Sequence, residues 1–324
     1  MKLRLRRQNI PILATFGVFL LIYLIGSVMY DSFFSLRVFA NLFIDNAFVG
    51  IIAIGMTFVI ISGGIDLSVG SVIALVGVLA AKLMHGFGLH PVYAFSLCIV
   101  VGGLFGMTMG SLIHFFELPP FLVTLVGMFL ARGLAFLVSL NAIPIKHPAV
   151  DAIIDFGIPL GFRAWLPATA MIFLAVTLLG VYLQHYTRFG RNTYAIGSSE
   201  PSAILMGLPV GRTKIVIYTF NGVLCALAGV VYSLYTSSGY PLACVGLELD
   251  VIAAVVIGGT LLAGGTGYVE GTLIGVLILG LIQTFITFQG TLSSWWTKIV
   301  IGLLLMVFIL LQRYLSAAGA GKSS

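Results

Sequence analysis

The chain has 324 residues, 60% of them hydrophobic and only 8% charged, where a soluble domain carries roughly 25% charged residues. No soluble fold buries that much apolar surface, so the composition excludes a water-soluble globular protein and makes a bilayer the solvent. The formal charge of +6 would suit nucleic acid, but in a membrane chain the placement of Lys and Arg carries the meaning, and no nucleic acid is expected as a partner. Three cysteines, Cys98, Cys225 and Cys244, are an odd number and read as unpaired.

Taken in order, the chain opens with Lys2, Arg4, Arg6 and Arg7, followed by an apolar run at 10–30. That run has about the 20 residues that cross a bilayer. No small-residue cleavage site follows, so it reads as a retained first span rather than a signal. Residues 31–44 read as an interfacial segment. Further spans are expected at 45–62, 68–84, 92–113 and 120–140. A second set follows at 164–186, 214–235, 248–264, 268–289 and 295–315, which makes about ten. Glycines interrupt the eighth and ninth, and the eighth has the look of a re-entrant segment. The expected fold is therefore all-α, a single polytopic bundle over 1–324.

Two connections are long, 147–163 and 187–213. With the N-terminus inside, Arg188, Arg191, Arg212, Lys214, Arg313 and Lys322 fall on the same side as the N-terminal cluster, against Arg37, Lys146 and Arg163 on the other. That asymmetry places both termini in the cytoplasm. Trp165, Trp295 and Trp296 then fall at outer ends, as an aromatic belt requires.

The most informative stretch is the junction of the second and third spans. An apolar run stops at Gly63 and Gly64, carries the carboxylate Asp66, and restarts after Ser68 and Gly70. A charge in an apolar setting survives only facing a bundle interior, water or a partner. Gly63, Gly64, Asp66 and Ser68 therefore shape a translocation path or gate, or else form a tight turn in which Asp66 caps the next helix. The orientation puts this break on the cytoplasmic side, which favours capping or gating over contact with an external solute. Glu248 and Asp250 open the eighth span at the positive end of its dipole, and Glu270 opens the ninth in the same way. Gly102, Gly106 and Gly110 form a small-residue ridge for close helix packing.

In the connection 187–213, basic, glycine-bounded arms flank 198–207. Ser198 or Ser199 is placed to cap a short helix beginning at Pro201, with Glu200 near its start. Ala203, Ile204, Leu205 and Met206 would give that helix an apolar surface outside the membrane, suited to a partner or to the lipid surface. No enzyme is legible. The tail AAGAGKSS lacks the first glycine and the strand of a phosphate-binding loop, and GTGYVEG lacks a βαβ setting. His85, His90, His114, His147 and His185 make neither a zinc motif nor a nucleophile–base set.

These segments together resemble the permease subunits of bacterial ABC importers for simple sugars. GGIDLSVGS at 63–71, TRFGRNTYAIG at 187–197 and ELDVIAAVVIGGTLLAGGTG at 248–267 carry the likeness, which covers nearly the whole chain. Within that family, the stretches at 46–74 and 281–299 and the neighbourhood of His147 and Pro148 resemble the permeases of galactofuranose importers. The resemblance implies a type II-like permease in the bacterial inner membrane, paired with a second permease subunit of a different paralogue. It also implies a cytoplasmic ATPase with two nucleotide-binding domains, which binds ATP and Mg while this subunit binds no cofactor, and a periplasmic sugar-binding protein. Ser198, Glu200, Ala203, Leu205 and Met206 would form the coupling helix that docks on the ATPase. Gly63, Gly64, Asp66, Ser68, Glu248 and Asp250 are the pathway or gate candidates. The rival expectation is an ion-coupled secondary sugar transporter, for which Asp66 is the one tempting carboxylate.

Overall fold

The computed structural model describes residues 10–161, 164–291, 293 and 295–320, with the side chains of 10–12 and 311–320 left aside. The basic residues before residue 10, Arg163, Lys322 and the Arg313 side chain, all used for the orientation, lie outside the described residues.

The helices start and stop where the chemistry of the ends dictates. Proline opens α5 (Pro91–Phe115), α6 (Pro120–Val138) and α7 (Pro148–Asp155), where a missing N–H costs nothing. His90 and His147 cap the first and last of these through their ring nitrogens. Gly88 and Gly290, in left-handed conformation, end α4 (Val69–Phe87) and α13 (Val269–Gln289). The remaining helices are α1 (Ile10–Met29), α2 (Leu36–Asp45), α3 (Ala47–Ile61), α8 (Ala168–Tyr186), α9 (Arg188–Ser198), α10 (Glu200–Leu205), α11 (Val210–Thr236), α12 (Leu247–Ile257) and α14 (Trp295–Ala320).

Among the described residues, six helices are long and apolar enough to cross a membrane: α4, α5, α6, α8, α11 and α13. The pair α2 and α3, bent by 58°, makes a seventh. α1 and α14 are apolar helices whose described side chains span shorter windows. α2, which overlaps the stretch 31–44 expected at the interface, buries Val38, Ala40 and Leu42 against the bundle. Three expectations are corrected. The eighth span is not a full helix: α12 ends at Ile257 and its 11 residues reach only about 16 Å, against about 30 Å of hydrocarbon. The fold is not wholly helical, because β1 (Ile143–Pro144) pairs with β4 (Ser238–Gly239), and β2 (Gly157–Gly161) pairs with β3 (Ala164–Pro167). The sixth span therefore begins at Ala168 rather than 164, since β3 takes the preceding residues.

α3 is the hub. It is apolar on every face and buried almost throughout, which a helix all round hydrophobic requires. Around it stand α8, α9, α11, α12 and α13. A Thr57–Thr272 hydroxyl pair at 2.7 Å ties α3 to α13. The outward faces of α1, α5, α6 and α14 carry exposed large apolar side chains such as Leu24, Val100, Phe129 and Leu303. The glycine ridge of α5 lies against α11. A Cβ at Gly102 would stand 2.7 Å from the carbonyl oxygen of Gly222, and one at Gly106 would overlap that of Tyr218. Leucine at Gly106 is accordingly expected to force α5 off α11, costing about 1–3 kcal/mol or more by overpacking. The check is the thermal midpoint of the purified full-length chain in detergent, which should fall; an unchanged midpoint would contradict the close crossing.

Candidate functional site

Three interruptions of helix define the candidate site. The first follows α3. Gly63, at φ +85°, turns the chain, and residues 64–68 run without helix before α4. Asp66 in this stretch is only 4% exposed. Its Oδ1 accepts from the Ser68 N–H at 2.8 Å and the Ser68 hydroxyl at 2.6 Å. Its Oδ2 accepts from Asn221 Nδ2 of α11 at 2.8 Å. Thr124 of α6 donates its hydroxyl to the Ile65 carbonyl at 3.1 Å, so the freed backbone is also held. Non-helical backbone inside a membrane bundle needs such partners. Asn221 stands well along α11, which begins at Val210, roughly 16 Å up the helix axis. Asp66 is therefore buried within the bundle rather than in a surface turn: the chain folds back inward after Gly63. Ser68, not Asp66, is the N-cap residue of α4, and Asp66 accepts from it in a local turn just ahead of that helix.

The second interruption joins α11 to α12. Ser237 and Cys244 sit at φ +51° and +58°, and Gly246 at +81°. Arg132, in the middle of the apolar helix α6, donates from Nη1 to the carbonyls of Pro241 at 2.6 Å and Ala243 at 2.8 Å. It also lies within electrostatic reach of Glu248. A Cβ at Gly70, in the first turn of α4, would stand 2.5 Å from the Cys244 carbonyl and 2.8 Å from Glu248 Oε2. The N-terminal ends of α4 and α12 thus approach each other inside the bundle. Each brings its own carboxylate, Asp66 and Glu248, to the positive end of a helix dipole. Asp250 pairs instead with Lys298 of α14.

The third interruption follows α12. The Gly265 N–H donates to the Ile61 carbonyl at 2.8 Å, joining this segment to the first. α9 closes over both: a Cβ at Gly197 would overlap Ile61 O, and Ser198 packs on Gly265. Gln184 of α8 accepts from the Val269 N–H at 2.9 Å and donates to the Gly267 carbonyl at 3.1 Å. The Tyr194 hydroxyl of α9 donates to that same carbonyl. Glu270 does more than face a dipole, since its Oε1 meets His185 Nε2 at 2.8 Å.

α10 hangs beyond this junction. Ser199, not Ser198, is its cap, accepting from the Ser202 N–H at 3.4 Å. Glu200 is its first residue and pairs with Lys214 of α11 at 2.6 Å. Ala203 was expected on the apolar surface; it is instead fully buried against Ile196 and Val210, with Leu208 beside them. That contact anchors the helix, while Ile204, Leu205 and Met206 project outward, Leu205 at 88% exposure.

The structure thus joins Asp66 to Ser68, brings Glu248 against Gly70 in the first turn of α4, sets Asp250 in a separate ion pair, and packs Ser198 on the third interruption. Sequence reading missed Arg132, Asn221, Gln184 and Tyr194. Arg132 had a signal, because a charge inside an apolar run is the same cue that raised Asp66. Among the described residues, no group of three or more His, Cys, Asp and Glu is placed to hold a metal ion.

Comparison with known proteins agrees with this architecture. The family model described as the permease component of the branched-chain amino acid transport system matches residues 38–310. The chain is 54% identical to the inner membrane ABC transporter permease protein YjfF of Escherichia coli K12, over 98% of this chain and 96% of that protein. It is 38% identical to the fructose import permease protein FruG of Bifidobacterium longum, over 98% and 95% of the two chains. It is 40% identical to the ribose import permease protein RbsC of Bacillus subtilis, over 93% and 92%. No solved structure matches it.

Proposed function

This chain belongs to the simple-sugar branch of the ABC importer permeases, and on that premise we propose that it carries galactofuranose inward as one of two different paralogous permease subunits. It is a multi-pass inner membrane protein and a transport subunit. The sugar assignment rests on the segments at 46–74 and 281–299. In the proposed assembly, a periplasmic binding protein delivers sugar to the end of the bundle that carries α7 and the small sheets. A cytoplasmic ATPase with two nucleotide-binding domains binds ATP and Mg and grips α10.

The observation that supports this reading best is α10 itself. It offers an apolar tip outside the helix bundle and is fixed at its root by Ala203 and by Glu200–Lys214. It follows directly on α9, which packs on two of the three interruptions. A push on the tip therefore reaches the broken segments through contiguous packed atoms. Switching a two-state bundle from one face to the other takes about 5.5 kcal/mol of differential binding, which the ATP-bound partner would supply. The Asp66 geometry does not favour ion coupling. Its oxygens accept three hydrogen bonds, which suits a permanent acceptor rather than a proton carrier.

Orientation is the first test. A cysteine at Ser199 should react with an impermeant maleimide only from the cytoplasmic side, and one at Ala149 only from outside. Labelling of Ser199→Cys from outside would overturn the docking role of α10. Substrate is the second. Uptake of labelled galactofuranose by the reconstituted importer should resist competition by ribose and fructose; preference for either competitor would reassign the sugar.

A further inference from the structure

The stretch between α11 and α12 enters the bundle from the end that carries α7, since its start, β4, pairs with β1 just ahead of that helix. It then runs inward along α4. A Cβ at Gly239 would overlap the carbonyl oxygen of Gly77, in the middle of α4, and one at Gly70 would stand 2.5 Å from the Cys244 carbonyl. Gly70 lies about 10 Å nearer the start of that helix. Arg132 grips the same stretch from about 9 Å inside the end of α6. Both α4 and α6 are long and apolar enough to cross the membrane, so this chain without regular helix lies at membrane depth.

Its inner side is occupied by α4 and by Arg132, but its outer side is bare. Leu242 is 48% exposed, Val245 67% and Leu249 63%. Among the described residues, no hydrogen bond engages the backbone groups of Leu242 or Val245. The exposed apolar residues of α5, such as Val100, differ in this respect, because the helix bonds their peptide groups and lipid can cover them. Open peptide groups cannot face hydrocarbon; at this depth they need protein or a water-filled cavity. Glu248 decides between the two. It is half-buried beside Leu249, and among the described residues no hydrogen bond engages its carboxylate. A carboxylate so placed needs water within reach. Water therefore follows this edge inward to the level where the first turns of α4 and α12 meet, and a wet groove on the outside of a subunit needs protein, not lipid, on its far side.

We infer that the edge formed by Leu242, Val245, Glu248 and Leu249 is this subunit's wall of the sugar path, and that the second permease closes the path opposite it. Arg132 is the positioning residue that holds the wall in place. The inference rests on the two-subunit import reading and adds which residues of this chain face the shared path.

The test uses the assembled importer in right-side-out vesicles, with Cys244 replaced by serine and one added cysteine, Val245→Cys or Leu249→Cys. A charged, impermeant methanethiosulfonate should label both from outside, whereas Val100→Cys should stay unlabelled. Loading the vesicles with ATP and vanadate should change the labelling rate at Val245→Cys by about tenfold or more, as a shift between two access states requires. Modification there should also block uptake. No labelling at either position in any state would mean that lipid or close-packed protein covers the edge. Labelling equal in all states, with uptake intact after modification, would mean a wet crevice off the path. Either result overturns the inference. ATP-driven uptake of labelled galactofuranose, ribose or fructose by the unmodified cysteine variants separates the two levels. Uptake with an unlabelled edge rejects the wall alone, whereas no uptake of any of these sugars rejects the import reading.

Discussion

Glutamate in place of Leu205 is expected to abolish sugar-stimulated ATP hydrolysis by the assembled importer while leaving the subunit folded and inserted. Leu205 is 88% exposed, so the free chain loses no packing. The cost falls on docking, because an unpaired carboxylate pressed into an apolar cleft costs several kcal/mol. Three kcal/mol is already roughly a hundredfold in affinity. Met206→Glu should behave in the same way. Ala203→Leu offers a contrast. Its side chain has no room beside Ile196 and Val210, so it should displace α10 and lower the stability of the subunit itself. Normal stimulation in a properly assembled Leu205→Glu complex would remove α10 from the mechanism.

The second large effect is expected at Asp66. Alanine there leaves the Ser68 amide and the Asn221 amide group buried without acceptors, at about 1–3 kcal/mol each. It also uncouples the α3–α4 break from α11. Uptake by the Asp66→Ala importer, matched for membrane level, should fall at least about tenfold. Asparagine separates bonding from charge. Its oxygen can still accept from Ser68. Its new NH2 would face Asn221, whose Oδ1 has no partner in the described structure. A flip of the Asn221 amide then restores the bond. Asp66→Asn should therefore keep uptake within about threefold of wild type, well under the tenfold that one lost bond implies. If asparagine is as inactive as alanine, the charge itself is needed and the ion-coupled reading gains.

Much of this was legible because it is written in local chemistry. Gly63, Gly64 and Asp66 interrupt an apolar run, and the break stands there. Ser199, Glu200 and Pro201 spell a helix start, and α10 begins within one residue of the expected position. What escaped depends on distant partners. Nothing near Asn221 announces that it meets a carboxylate 155 residues away. The depth of Asp66 escaped because a length rule counts apolar residues, whereas residues 64–68 fold back into the bundle without helix. α12 was read too long for the same reason: 258–264 is apolar enough to continue a span, but its glycines at φ +95° and +85°, Gly259 and Gly264, turn it aside. Leu205 and Ala203 look alike on a hydropathy scale; only the packing of α9 and α11 makes one a tip and the other a root.

The central claim is that ATP bound by a partner, acting through α10 on the broken segments, drives sugar import. It is tested most directly by uptake of labelled galactofuranose into vesicles that hold the reconstituted importer, with ATP inside and binding protein outside. The account predicts uptake that requires ATP, persists when ionophores collapse proton and sodium gradients, and disappears with Leu205→Glu. Uptake that continues without ATP and collapses with an ion gradient would contradict it.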